Sequence, residues 1–365
     1  MRIILKIIKW IFIVLFVIVL SIAILDVIPL APFKYKGENE FRRKDKYPLI
    51  IPHGGAKQLA PENTIYSYQM LIDDYDAGVL EIDLALTKDN ILIAHHDLDL
   101  EFSATSLMDG KLIKNYTYQE ILDEYDNDDY HLARNFVDPE GNKPFLTYTK
   151  NQLKDFVPAN LEEDIFKKIG KDVLYILEIK DSPTSEGYDQ DSNRFELAAQ
   201  TLIDLVVEYE LESNVILASF SDEVISYFQE NAPGVMVNAG VDEVTNFSIF
   251  SAFYIDFFWQ VKSQVLILPN RTSMAPITGS TAKILDKLPK FIRNNIGIKV
   301  GDAYEPNLMH KQIINDAHRK NMAVLYWTIN DPEEMKLLIE LGADGIITDR
   351  PDLLKQIIDA LKAED

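Results

Sequence analysis

The chain contains no cysteine, which excludes disulfides, thiolate metal sites and a cysteine nucleophile together. Positive charge is also scarce: 36 Lys and Arg stand against 58 Asp and Glu, a formal net charge of -22. Nucleic-acid backbones are held by clustered Lys and Arg, so this balance excludes a nucleic-acid partner. An anionic substrate must instead meet a local positive centre, a role that a divalent metal can fill. Histidine is limited to six residues, and the chain shows no internal repeat and no low-complexity tract, which excludes a repeat architecture. A length of 365 residues is long for one ordinary domain but normal for a barrel with insertions.

One long apolar run is present, and it is N-terminal. Arg2, Lys6 and Lys9 precede an unbroken apolar stretch over residues 10–25, relieved only by Ser21. At about 1.5 Å per residue it makes roughly 24 Å of helix. With Ile7, Ile8 and a snorkelling Lys9 it approaches the roughly 30 Å of a bilayer core. A cleaved signal peptide is the rival reading, but no small-x-small cleavage site follows. Residues 1–28 are therefore expected to form a single-pass membrane anchor, with Pro29 and Pro32 marking its exit and residues 29–46 forming a linker. The basic residues before the run place the N-terminus inside and the following domain outside the cytoplasm. Lys34, Lys36 and Arg42-Arg43-Lys44 on the other side pull against that orientation.

From residue 47 to 365, short β-branched runs alternate with helical patterns, the mark of βαβ units around a parallel sheet. Candidate strands fall at 49–51, 79–86, 91–94, 173–179, 215–218, 235–237, 265–268, 324–327 and 345–348. That is one more than an eight-stranded α/β barrel needs. The second and third are separated only by Thr87-Lys88-Asp89-Asn90, too short for a crossover helix, so one of them is a hairpin arm. Residues 98–165, with the acidic patch 123–129 and the turn-like Asp138-Pro139-Glu140-Gly141, read as an insertion with some helix. Asp181-Ser-Pro-Thr-Ser-Glu-Gly187 reads as a loop at the barrel mouth.

Within Val79-Leu-Glu-Ile-Asp-Leu-Ala-Leu-Thr87, period-two alternation sends Leu80, Ile82 and Leu84 to one face and Glu81, Asp83 and Ala85 to the other. On the inner face of a barrel, two such carboxylates repel unless a cation bridges them, and hard ions such as Mg²⁺ or Ca²⁺ take oxygen ligands of this kind. The plainer alternative is an amphipathic strand with its acids in water. A second strand shifts the balance: in Val173-Leu-Tyr-Ile-Leu-Glu-Ile-Lys180, Glu178 and Lys180 share a face behind an almost wholly apolar run. Glu81, Asp83 and Glu178 would make a three-carboxylate site, with Lys180 as an added positive charge for phosphate. A surface Glu-Lys pair is the alternative. His53, followed by Gly54-Gly55, and His96 each sit at the end of an apolar strand, where two histidines can divide general-base and general-acid work. His95 has the opposite parity and is expected to pack outward, while His131, His310 and His318 read as ordinary helix or loop residues.

Taken in order, His53-Gly-Gly, Pro61-Glu-Asn-Thr64, Glu81-Ile-Asp83, His96-Asp97, Glu178-Ile-Lys180, Ser219-Phe220, Trp327-Thr-Ile-Asn330 and Gly342-Ala-Asp-Gly-Ile-Ile-Thr-Asp-Arg-Pro351 resemble the motifs of glycerophosphodiester phosphodiesterases. The resemblance implies a (β/α)₈ TIM-type barrel. It further implies His53 and His96 as the acid-base pair, Glu81, Asp83 and Glu178 as ligands of Mg²⁺ or Ca²⁺, Glu62 beside metal and phosphate, and Lys180 and Trp327 lining the substrate pocket. One departure stands out: the family usually has Arg directly after its first histidine, where it binds phosphate, and here that position is Gly54. Lys57 and Lys180 are the cations that can compensate.

The implied reaction is metal-dependent hydrolysis of a small-molecule or lipid-derived phosphodiester to an alcohol and glycerol 3-phosphate, begun by water or by the substrate's own glycerol hydroxyl. The aromatic stretch 246–259, with Phe250, Phe253, Tyr254 and Phe257 at helical spacing, reads either as core or as a surface for an acyl chain or bilayer interface. The second reading, together with the anchor, points to a lysophospholipase D or a cell-wall glycerophosphate hydrolase. A non-catalytic phosphodiester-binding barrel is a third possibility, and a phosphatidylinositol-type phospholipase C a fourth, against which Pro61-Glu-Asn-Thr64 speaks.

Overall fold

Alternation of β-branched runs with amphipathic helices closes here into a barrel. The computed structural model describes residues 2–27, 34–43, 45–75, 77–100, 111–185 and 193–364. Pro29, Pro32, Lys44, residues 101–110 of the insertion and the end of the loop beginning at Asp181 lie outside them. Eleven strands follow in chain order among the described residues: β1 (Leu49–Pro52), β2 (Val79–Leu86), β3 (Leu92–Ala94), β4 (Leu174–Ile179), β5 (Val215–Ala218), β6 (Met236–Val237), β7 (Val265–Pro269), β8 (Gly297–Val300), β9 (Ala303–Pro306), β10 (Ala323–Trp327) and β11 (Gly345–Thr348).

Parallel pairing runs β2-β4-β5-β6 in one sheet and β1-β11-β10-β7 in the other. A parallel bridge from Asn238 to Val265 ties β6 to β7, and β1 lies beside β2, so eight parallel strands complete the ring. The surplus strand is β3, which pairs antiparallel with β2. Its five-residue connection, residues 87–91, permits a hairpin and no crossover helix.

Strand alternation sorts the side chains as expected. Ile51, Val79, Ile176, Ile216, Val265 and Leu325 belong to the cluster inside the barrel. Leu80, Ile82, Leu84 and Leu177 pack outward with Ala198, Leu202 and Phe228 of the helices Arg194–Glu208 and Asp222–Asn231. Each such Leu, Ile or Phe side chain, taken fully from water, contributes about 1.5–3 kcal/mol.

The stretch expected as a free linker is docked. Phe41 is fully buried within the interior cluster. Asn39 Nδ2 donates to the carbonyls of Gln264 and Asn321, and Arg42 Nε lies 3.2 Å from Asp344 Oδ1. Those partners lie within two residues of the starts of β7, β10 and β11, so residues 34–43 cap the end of the barrel opposite the strand C-termini. The apolar Phe41 in a charged stretch was the available signal.

The insertion after β3 has its own aromatic core, in which Tyr66 stacks on Phe156 with centroids 4.1 Å apart and Phe145 packs against both. Its helix Tyr118–Asn127 begins with a capping box between Thr117 and Glu120, each half of which satisfies an N-terminal N–H. A second elaboration, between β7 and β10, holds the antiparallel hairpin β8-β9 and two short helices, Gly279–Leu285 and Lys290–Ile296. The aromatic stretch also differs from its expected helical stripe. The helix Val241–Ala252 ends before Phe253, Tyr254 turns at φ 61°, and Phe257 is buried. These rings therefore do not share one helix face.

The N-terminal helix spans Arg2–Val27. Its segment Lys6–Leu25 is 20 residues long and apolar enough to cross a membrane, at about 30 Å of rise. A signal sequence meets the same description.

Candidate active site

The site forms where the strands end. Strand β1 delivers His53 into a tight turn: Gly54 and Gly55 take φ +49° and +85°, the left-handed region open to glycine at little cost. This turn aims the Gly54 N–H at Glu81 Oε2, 2.5 Å away. The helix Ile65–Asp73 starts at Thr64 with a capping box to Ser67, which fixes the preceding Pro61-Glu62-Asn63 loop. Asn63 donates through Nδ2 to Asp83 Oδ2 at 3.3 Å, and its Oδ1 accepts from the Tyr68 hydroxyl at 2.8 Å.

Glu81 and Asp83 are both buried on the inner face of β2, and Asp83 stands level with Glu178 in the neighbouring strand β4. Lys180 bridges the two strands, with Nζ 2.9 Å from Asp83 Oδ1 and 2.8 Å from Glu178 Oε1. Burial and the nearby Asp83 charge push Glu81 up to about 7. Asp83 moves the other way: burial alone would raise it, but Lys180 and Lys57 hold its carboxyl well below the usual range. Burial also raises Glu178, against the pull of Lys180. For Lys180 burial acts to lower the value, and the two carboxylates override it and hold the ammonium charged.

His53 Nδ1 is 2.7 Å from Asp349 Oδ1. Asn330 holds that carboxylate through Nδ2 at 2.6 Å to Asp349 Oδ2. Burial would lower the His53 pKa, yet the Asp349 hydrogen bond and the Glu81 charge raise it above its ordinary value. With Nδ1 engaged, Nε2 is left to face the carboxylates. His96 Nδ1 lies 2.8 Å from Asp97 Oδ1, with about half of each side chain exposed, and its hydrogen bond holds Asp97 below its usual value.

One pocket of about 320 Å³ gathers His53, Glu81, Asp83, His96, Glu178, Lys180 and Trp327. Seven of the eight residues expected from sequence thus meet. Glu62 instead pairs with Lys57, 2.5 Å from its Nζ, on the wall of a separate small cavity shared with His95. His95 does point away from the central pocket and is buried beneath the insertion. Residues that sequence reasoning left without a role are Asn63, which steadies Asp83, and Asp349 with Asn330, which orient His53. All three fall inside the quoted motifs, which was the only signal for them.

A divalent metal fits this donor set. Ligand atoms of His53, Glu81 and Asp83 all lie within 4.8 Å of one another. Two buried carboxylates that close, one driven toward its proton by the other, gain from a cation between them. Glu178 is absent from that tightest group and is held by Lys180.

Among known proteins, the sequence profile of the Glycerophosphoryl diester phosphodiesterase family matches residues 53–353. A glycerophosphodiester phosphodiesterase of Caldanaerobacter subterraneus is 22% identical, with 85% of this chain and 97% of that protein covered. A lysophospholipase D of Rattus norvegicus is 21% identical over 90% of this chain and 92% of that one. The structure of an Oleispira antarctica phosphodiesterase in complex with the product sn-glycerol-3-phosphate superposes with a TM-score of 0.52 at 17% identity, covering 86% of this chain and 97% of that chain. The ordered motifs, the barrel that brings them together and a profile spanning most of the sequence agree: this chain belongs to the glycerophosphoryl diester phosphodiesterase family and is a phosphoric diester hydrolase of that family.

Proposed function

We propose that the chain hydrolyses glycerophosphodiesters to glycerol 3-phosphate and an alcohol, with His53 and His96 as the acid-base pair. The observation that carries this reading is the convergence of two histidines, three carboxylates and Lys180 in one pocket at the strand ends, where barrel enzymes assemble their chemistry. In the net reaction a water oxygen bonds to phosphorus and the P–O bond to the leaving alcohol breaks. One histidine takes the water proton and the other delivers a proton to the departing oxygen. Asp349 holds His53 in one orientation and stabilises its protonated form. Glu81 and Asp83, with Glu178 if it parts from Lys180, would hold a divalent ion of the Mg²⁺ or Ca²⁺ type, which would supply neutralisation of charge on the phosphate. Lys180 adds a positive charge to the same wall, and Trp327 and Phe220, with ring centroids 4.9 Å apart, shape the side where the organic part of the substrate rests. The complete acid-base and carboxylate set speaks against a silent binding barrel. The N-terminal helix is read as a single-pass anchor that leaves the barrel outside the cytoplasm.

The test is release of glycerol 3-phosphate from glycerophosphocholine by the full chain in detergent, with Mg²⁺ or Ca²⁺ and with chelator. Activity that chelator abolishes and metal restores is the expected result. No turnover with either metal sinks the proposal.

Lys57 takes up the place that an arginine at position 54 would need. A Cβ built on Gly54 meets Lys57 Cε at 2.6 Å, and Lys57 Nζ lies 3.8 Å from Asp83 Oδ2. Charge-assisted hydrogen bonds contribute about 1.5–3 kcal/mol, so Lys57→Met should raise KM or lower kcat/KM by roughly 10- to 100-fold. Gly54→Arg, strained at φ +49° and blocked by Lys57, is expected to lower activity rather than improve it. A gain of activity in Gly54→Arg would show that Lys57 does not do this work.

A further inference from the structure

A second cavity lies beside the first. It measures about 460 Å³ and shares Phe220, Ile267 and Trp327 with the catalytic pocket, so the two adjoin across the Phe220-Trp327 wall. Its far side is built by the helix Val241–Ala252, through Val241, Val244 and Ile249, together with Met274 and Leu308. Among the described residues its lining carries no ionisable side chain; Thr245, Ser248 and Ser273 contribute the only hydroxyls. This contrasts with the catalytic pocket, where acids, histidines and a lysine crowd together. The volume lies within the range of small-molecule sites.

We infer that this groove holds the aliphatic chain of a substrate whose phosphodiester lies in the catalytic pocket, so that the enzyme accepts lysophospholipids. The inference rests on the hydrolytic reading above and names a substrate class for it. Glycerophosphocholine leaves the groove empty of ligand, whereas a chain attached to the glycerol carbon can leave the charged pocket along the apolar wall of Phe220 and Trp327. At that junction the buried Trp327 Nε1 has no hydrogen-bond partner among the described residues, and it can donate to the ester oxygen that joins chain to glycerol. In the reaction, a water oxygen bonds to phosphorus, the P–O bond to the headgroup alcohol breaks, and that oxygen leaves with a proton. The products are an acylglycerol phosphate and the free alcohol. The expected stripe of Phe253 and Phe257 lines neither cavity; the groove is lined instead by the helix that precedes them, Val241–Ala252.

The groove predicts a graded chain-length effect. Each buried methylene is worth about a three- to fourfold gain in affinity. The full chain is assayed below micelle-forming concentrations on glycerophosphocholine and on lysophosphatidylcholines of increasing chain length, and alkylphosphocholine binding is measured in parallel by calorimetry. Wild type should gain about threefold or more per methylene in kcat/KM and in binding, until the groove is full. Thr245→Trp, which fills the groove, and Ile249→Asp, which charges an exposed part of its wall, should flatten both series while leaving kcat/KM on glycerophosphocholine within about twofold. Binding that ignores chain length, or variants that cut glycerophosphocholine and lysolipid turnover equally, overturns the inference. Graded binding lost in the variants, with no turnover on any substrate, upholds the groove and sinks the hydrolytic reading instead.

Discussion

His53→Ala is expected to lower kcat by about two to four orders of magnitude, with the fold retained because the side chain sits at a strand end and not in the packed interior. His96→Ala should cost a similar amount, and comparison of the two with Asp349→Asn separates their roles. Asp349 raises the His53 pKa against the opposing effect of burial, so its conversion to Asn moves the His53 pKa down. If His53 is the general base, activity rises with pH through that pKa, and the acidic limb of kcat/KM moves to lower pH. If His53 is the general acid, activity falls with pH through it, and the alkaline limb moves to lower pH. A His53→Ala enzyme with unaltered kcat sinks the assignment. An unmoved profile in Asp349→Asn removes Asp349 as the group that tunes it.

The barrel was legible because its strands are short β-branched runs set apart by amphipathic helices, and all nine expected strands exist. Glu81 and Asp83 were legible for the same reason: a period of two in an otherwise apolar strand forces both to one side. What could not be read was anything that depends on ring closure. His53 and Asp349 lie 296 positions apart and meet only because β11 becomes the neighbour of β1. The docking of Phe41 depends on the strand N-termini gathering around a common axis, which no local pattern announces. The β8-β9 hairpin is a different kind of miss. Gly301-Asp302 between two short runs is a recognised turn signal, but four-residue strands with Lys299, Val300 and Glu305 at least partly exposed leave little hydrophobic alternation to notice. Glu62 shows the limit of motif reasoning: the resemblance places it beside the phosphate, and here Lys57 draws it to the edge of another cavity.

Asp83→Asn is expected to have the broadest effect of any single substitution, because three features converge on one buried carboxylate. It belongs to the candidate metal group, it accepts from Asn63, and it shares Lys180 with Glu178. The amide keeps the shape but removes the charge, so divalent-metal affinity should fall by at least about a hundredfold and kcat/KM by about a thousandfold. Stability should change far less. Lys180 keeps Glu178 as a partner, so the loss is one charge-assisted interaction, about 1.5–3 kcal/mol, rather than a stranded buried ion. Relief of the Asp83 charge also lets the Glu81 pKa fall back toward the ordinary carboxylate range. Calorimetric titration with Mg²⁺ and Ca²⁺ reads the metal effect without turnover, and thermal melting reads the fold. Unchanged metal affinity beside lost activity would leave Asp83 as an electrostatic anchor for Lys180 alone. Lost affinity with a near-native melt means that two carboxylates folded against each other on the inner face of β2 are held there for a cation.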